Sequence, residues 1–306
     1  MEYSTKNQIS PSTLNRIQAI SYKLWQYPID NCIELKNGMT NDSFLVTCKK
    51  KKYIIRLNGL GTNKLIDRKS EKINYAIIAK YQIGDPVIDI NDSAGYKVTE
   101  YLENVHNCSP ENEKDIQLCM RTLRKFHSMR LHVPHEFNLF EKINFYESLW
   151  KRNQSAYTDY DQVKQQVWQL KSYIQQNHGP WGMAHIDAVP DNFLITPEGK
   201  VYLIDWEYAA MCDCYVDIAM FSLYADYDKI QVDHLIDLYF ENEVDRKTRI
   251  LIYCYMAVAG LLWSNWCEFK EDVGIQFGEY AKHQYNYAKN YSQMVLHILK
   301  GQNVCS

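Results

Sequence analysis

The stretch AHIDAVPDNFLI, from Ala184 to Ile195, places His185, Asp187, Asp191 and Asn192 within eight positions before the chain turns apolar. A second apolar run follows and ends in LIDWEYA, with Asp205 at its close. These residue types suit one kind of chemistry. An aspartate in a tight loop accepts the proton of an attacking hydroxyl and orients it. An asparagine five residues later turns a carbonyl oxygen toward a divalent cation, and an acid at the end of the next strand supplies a carboxylate. Mg2+ is hard and takes one or two carboxylates together with phosphate oxygens and water. A His-x-Asp pair alone arises by chance, and a single Asp after a strand is often a helix cap. The ordered set of loop, strand, turn, strand and acid carries more, and it points to phosphoryl transfer with Asp187, Asn192 and Asp205 as the catalytic residues. His185, at the loop entrance, is expected to make a structural hydrogen bond that fixes the backbone. Asp191 is expected to form the turn.

The elements that must position these groups are legible around them. SPSTL opens an expected helix over 10–27, with serine as cap and proline at the first turn. CIEL, SFLVTC, YIIRL, DPVIDI and GYKVTEYL read as five strands. A helix from Asp67 to Tyr81 is expected among them, with Ile73, Ala76, Ile77 and Lys80 on one face. After residue 105 helices dominate. Ser109-Pro110 is expected to open one whose buried side is marked by Ile116, Cys119, Met120, Leu123, Phe126 and His127. FLIT and VYLID form a hairpin about Pro197-Glu198-Gly199. The expected fold is α+β, with a leading helix and small antiparallel sheet in residues 1–104 and a larger, mainly helical part in residues 105–306.

Composition excludes several alternatives. The 306 residues are 46% apolar and 23% charged with a net charge of −3, so no nucleic-acid partner is expected. Lys49–Lys52 is the one strong basic cluster and reads as a solvated turn. The cysteines number nine, without zinc-finger or framework spacing, so reduced thiols in the cytoplasm are expected. MEYSTKNQIS lacks the regions of a signal peptide. The apolar run Ile250–Trp263 covers about 14 residues, short of the ~20 that span a bilayer, so a buried core helix is expected and no membrane insertion. Nothing in the sequence sets an oligomeric state.

His185-x-Asp187-x(4)-Asn192 has the spacing of the H-R-D-x(4)-N catalytic loop of protein kinases. HIDAVPDN followed by LIDWEYA more specifically resembles the choline kinase family, within the wider group of choline/ethanolamine and aminoglycoside phosphotransferases. The likeness runs from about residue 30 to 300. It implies a two-lobed, protein-kinase-like fold that uses ATP and Mg2+, the metal held by Asn192 and Asp205. NGMTN is similar to the nucleotide-covering loop, which brings in Gly38, Thr40 and Asn41. YIIRLNG is similar to the strand with a basic residue, here Arg56, and DRKSEKIN to the helix whose Glu71 pairs with it. KVTEYLEN is similar to the hinge strand that meets adenine, which brings in Glu100 and Leu102. There is no G-x-G-x-x-G loop, V-A-I-K lysine, D-F-G or A-P-E, so a small-molecule acceptor is implied in place of a peptide.

A quaternary ammonium donates no N–H bond and is held by aromatic faces and nearby carboxylates. Trp263 and Trp266, three apart on one helix, resemble the family's paired tryptophans. Glu207, Tyr208 and Tyr224 join them as expected acceptor-binding groups, with Asp187, and Tyr227 falls nearby. Glu268, Glu271 and Asp272 read as a solvated face. The implied reaction is ATP plus choline giving phosphocholine plus ADP. The alternatives are a kinase for another small alcohol (ethanolamine, thiamine or an aminoglycoside) and an inactive, kinase-shaped choline-binding module.

Overall fold

The computed structural model of the chain describes residues 9–35, 41–59, 62, 65–152 and 154–302. In chain order the elements are α1 (Pro11–Trp25), β1 (Asn31–Leu35), β2 (Asn41–Cys48), β3 (Lys51–Asn58), α2 (Arg68–Ile78), β4 (Val87–Asn91), β5 (Tyr96–Glu100), β6 (His106–Asn107), α3 (Glu113–Ser128), α4 (Leu139–Ser148), α5 (Tyr160–Gln169), α6 (Lys171–Asn177), β7 (Trp181–Ala184), β8 (Phe193–Ile195), β9 (Val201–Leu203), β10 (Ala210–Asp213), α7 (Val216–Tyr224), α8 (Lys229–Phe240), α9 (Arg246–Asp272) and α10 (Glu279–Gln302). They divide into two compact units, 1–106 with 194–207, and 107–193 with 208–306. A single boundary at residue 105 does not describe the return of 194–207 to the first unit.

The first unit is built on an antiparallel sheet in the order β1-β2-β3-β5-β4. Helix α1 begins where Ser10 Oγ accepts from Thr13 N, with proline in the first turn. Its Ile17 and Ile20 pack on Phe44, Val46, Ile55, Leu57, Tyr96 and Val98, which share one face of the sheet by the two-residue period of strands. The same period turns Arg56 and its register partner Lys97 to the opposite face. Asp67 caps α2, its side chain accepting from Lys69 N. The buried side of α2 is not the Ile73 side, however. Arg68, Glu71, Asn74, Tyr75 and Ile78 are buried, while Ile73 is exposed. Paired charges have claimed the inner face, and a count of apolar residues cannot register a charge that is buried with its partner.

The second unit is helical. Helix α9 lies at its centre, against α4, α5, α6, α7 and α10. Its length and apolarity would suffice to cross a membrane, but that apolar window is entirely buried within the unit. Gly260 lets α10 approach closely, since a Cβ there would meet Gln284 O at 2.7 Å and Ala288 N at 2.8 Å. Helix α3 buries the six residues its period marks, but it starts at Glu113. Asn112 is the cap, accepting from Lys114 N and Asp115 N, so the Ser109-Pro110 pair lies in the turn before it. Glu268 also departs from expectation. It is 1% exposed and accepts from Arg152, Ser155 and the backbone of Ala156, because the loop after α4 closes over it.

Candidate active site

In the second unit, strand β7 pairs antiparallel with β10, with Ala184 opposite Ala210, and delivers the chain into the loop at His185. Ile186 then takes φ = +69°, a left-handed conformation that a β-branched residue adopts only under constraint. The constraint is Asp217, fully buried near the start of α7. Its carboxylate accepts from His185 N at 2.8 Å and Ile186 N at 2.7 Å. His127 Nε2 lies 2.9 Å from the same group, and His127 Nδ1 lies 2.8 Å from Tyr239 OH. His185 is itself buried; the bond that fixes its backbone is made by its N–H. Sequence reasoning missed Asp217, although His127 had been marked on the buried face of α3.

Beyond the kink, Val189 N donates to Asp187 O at 2.8 Å and Asn192 N to Val189 O at 2.9 Å, which draws the loop into a single turn. Asn192 Nδ2 donates to Asp187 O at 2.8 Å and to Asp187 Oδ2 at 3.1 Å. With its nitrogen spent on Asp187, the asparagine's carbonyl oxygen is turned the other way. Asp191 serves the turn, its carbonyl accepting from Asn107 Nδ2 at 2.6 Å, and its carboxylate accepts from Tyr224 OH at 2.6 Å.

Aromatic rings run from that tyrosine back to Tyr208. Tyr208 meets Trp263 edge-on at 5.7 Å, and Trp263 meets Trp266 edge-on at 5.7 Å. Trp266 reaches Phe277 at 5.2 Å, Phe277 reaches Tyr280 at 6.3 Å, and Tyr280 reaches Tyr224 at 6.0 Å. Both tryptophans are buried, and Trp263 Nε1 donates to Met220 Sδ. Burial raises the phenols of Tyr224 and Tyr280; Asp191 and then Asp187 raise Tyr224 further, and Cys267 and then Asp187 raise Tyr280. Phe277 and Tyr280 went unnoticed in the sequence because neither belongs to a spaced motif. Tyr227 is engaged elsewhere, donating to Pro110 O.

In the first unit the structure brings Arg56 and Glu71 together, Nη2 donating to Oε1. Arg56 Nη1 also reaches Asp205 Oδ1 at 2.6 Å and Glu207 Oε2 at 3.3 Å. A second guanidinium, unanticipated, completes the group. Arg68 Nη1 lies 2.8 Å from Glu71 Oε2 and 3.0 Å from Glu207 Oε2, while its Nη2 donates to Asn41 Oδ1 at 2.8 Å and Thr62 Oγ1 at 3.0 Å. Asn41 Nδ2 in turn donates to Glu207 Oε2 at 2.8 Å. Burial pushes the Glu71 carboxyl up, but Arg56, Lys97 and Arg68 outweigh it and hold the group below the ordinary range. Glu207 moves the other way, raised by burial and by the neighbouring Asp205. Glu207, expected at the acceptor, is bonded within this network, its side chain 2% exposed, because two arginines and an asparagine have taken its carboxylate.

The hairpin that carries Asp205 is clamped by α2. Asn74 Nδ2 donates to Trp206 O at 3.0 Å, Trp206 N approaches Tyr75 OH at 3.4 Å, and the Trp206 indole donates to Leu203 O at 2.7 Å. Asp205 itself has φ = +65° and a side chain 28% exposed. Carboxylate oxygens of Glu71, Asp205 and Glu207 lie within 4.8 Å of one another. Glu71 and Glu207 are buried and each paired with both arginines, whereas Asp205 meets Arg56 through Oδ1 and is partly exposed, which leaves Asp205 the most capacity for a cation. Glu100 ends β5, and its N–H is used on Pro86 O at 2.9 Å. Leu102 is half-buried just beyond. Gly38 and Thr40 lie outside the described residues.

Comparison with known proteins agrees with this chemistry. Residues 32–237 match the family model described as choline/ethanolamine kinase. Protein LicA of Haemophilus influenzae is 27% identical over 267 residues, covering 80% of this chain and 75% of its own length. Choline kinase LicA from Streptococcus pneumoniae superposes with a TM-score of 0.81 at 29% identity, covering 92% of this chain and 98% of that one. LicA in complex with AMP does so with a TM-score of 0.81 at 28% identity, covering 94% and 100%. The chain belongs to the choline/ethanolamine kinase family and is a protein-kinase-like α+β phosphotransferase with an alcohol group as acceptor.

Proposed function

We propose that the chain transfers the γ-phosphoryl group of ATP to the hydroxyl of choline. The observation that carries this is the second unit's own arrangement: a braced loop presents Asp187 beside Asn192, and its turn is bonded through Asp191 to Tyr224, the end of a chain of rings that includes Trp263 and Trp266. A trimethylammonium group gains from such faces, by up to about 2 kcal/mol when desolvated. A primary ammonium would seek carboxylate acceptors, and Glu207 is committed to Arg56 and Arg68. The relative from Streptococcus pneumoniae, itself a choline kinase, supports the same acceptor.

The roles follow from the contacts. Asp187 orients the acceptor hydroxyl and takes its proton as the oxygen attacks phosphorus. Arg56, supported by Glu71, steadies the phosphates with a planar fork that suits their oxygens. Asn41, the first residue of β2, serves the phosphates together with Gly38 and Thr40 of the same sequence motif. Adenine meets the chain after β5; since the Glu100 N–H is occupied, backbone groups near Leu102 serve the base. Tyr208, Tyr224, Trp263 and Trp266 receive the ammonium group, joined by Phe277 and Tyr280. The donors fit Mg2+: Asn192 has turned its oxygen away from Asp187, and Asp205 is a partly exposed carboxylate, both hard ligands. When bound, Mg2+ would neutralise charge on the phosphates during transfer. Positioning and charge neutralisation supply the rate. The setting proposed is the cytoplasm, in keeping with nine irregularly spaced cysteines.

The test is ADP release against choline, ethanolamine, thiamine and an aminoglycoside, repeated with Trp263→Ala and Trp266→Ala. Choline is expected to be the best acceptor, and each variant to raise its KM by roughly tenfold or more with the KM for ATP unchanged. A better rate with another acceptor, or tryptophan variants that treat choline as the wild type does, would overturn the assignment.

A further inference from the structure

Three carboxylates, Glu71, Asp205 and Glu207, surround Arg56 in the first unit, and all three touch it. A guanidinium so engaged has little left for a phosphate. With Arg56 alone the group would carry two excess negative charges, and it would repel the polyanion it is read as binding. Arg68 alters that balance. It grips the Oε2 oxygens of both Glu71 and Glu207, which leaves one excess charge, and it does so without touching Asp205 or Arg56. Its other nitrogen holds Asn41, the first residue of β2, and Thr62, ahead of α2. Both nitrogens are thus used on four partners in separate segments, and the side chain is buried.

We propose that Arg68 is a positioning residue for nucleotide binding: by serving as standing counter-ion to Glu71 and Glu207, it lets Arg56 turn its charge to the phosphates without stranding two buried carboxylates. This rests on the nucleotide site proposed above. Removing Arg68 would return a full negative charge to a buried group near the phosphates, where screening is weak. The defect belongs to ATP and not to the acceptor. Neutralising Glu207 would relieve it, because the charge that Arg68 offsets would then be absent.

The experiment is direct titration of MgATP into wild type, Arg68→Met, Glu207→Gln and the double variant, with melting temperatures and the KM for choline recorded alongside. Arg68→Met is expected to weaken MgATP by about tenfold or more, with the KM for choline within about twofold, and the double variant to recover most of that loss. Should Arg68→Met fail to fold, Arg68→Lys, which keeps the charge but not the fork, is compared with Arg68→Lys/Glu207→Gln. A severalfold weakening and the same relief by Glu207→Gln are expected there. Wild-type MgATP affinity in a variant that merely melts earlier would overturn the proposal, as would a double variant no better than the single one. Titration needs no acceptor. A wrong acceptor assignment would therefore appear separately, as absent turnover with choline while the Arg68 effect on ATP persists.

Discussion

Arg56 and Asp187, proposed to serve the phosphates and the acceptor hydroxyl, are held in opposite ways. Arg56 lies among ionised side chains, each positioned by another charge, on a sheet face opposite the apolar one. Asp187 follows a kinked backbone whose amides are fastened to one buried aspartate, in a unit whose neighbouring side chains are largely rings. The first arrangement distributes its hold over several exchangeable partners. The second concentrates it in Asp217. Loss of one ion pair in the first unit should therefore shift charge without unmaking the fold, whereas loss of the Asp217 bonds should loosen a whole loop.

That contrast can be broken or sharpened. Asp187→Ala should have the largest effect, since it deletes the chemistry and leaves the brace. A fall in kcat of about 10²–10⁴-fold is expected, with MgATP affinity nearly unchanged by titration. A near-normal kcat would remove Asp187 as the base. Asp217→Asn should come next, costing about 1–3 kcal/mol of stability through weakened buried bonds, visible as a lowered Tm. It should also reduce kcat by roughly tenfold as Ile186 relaxes. An unaltered Tm and kcat would mean that the brace is redundant and the contrast false.

The smallest effect belongs to Glu268, held at the edge of the ring-bearing helix. Burial raises its carboxyl above 4.5, despite bonds from Ser155, Ala156 and Arg152. A group raised in the folded state stabilises fully below its unfolded value and loses that contribution as pH rises through the folded value. Wild-type stability should therefore decline on that limb relative to Glu268→Gln, which cannot ionise. Parallel Tm-versus-pH curves for the two would dismiss the effect.

What was legible in the sequence follows the same division. Period and spacing located the sheet, the hairpin, the buried face of α3 and the tryptophan pair, because apolar burial and short-range geometry repeat along the chain. They misjudged α2, where Arg68 and Glu71 look like surface charges until their partners arrive from β2, β3 and the 194–207 segment. The partners of Glu207 were hidden for the same reason: a carboxylate next to a ring motif is visible, but the two arginines that bond it are more than a hundred positions away. Asp217 was missed because the backbone amides it accepts from leave no mark in a residue pattern, and its side-chain partner His127 lies 90 positions away. Phe277 and Tyr280 were missed because they meet Trp266 and Tyr224 only after α9 has ended and the chain has turned into α10.

The bare α-carbon at Gly260 reaches further than its position suggests. With Gln284 and Ala288 already against it, any larger residue would act as a wedge between the two long helices, one bearing the indole pair and the other beginning at Tyr280's turn. A change there would touch neither nucleotide nor acceptor, yet it would spread the walls proposed to enclose a small cation, so tolerance at this remote point would measure how tightly such an enclosure must fit.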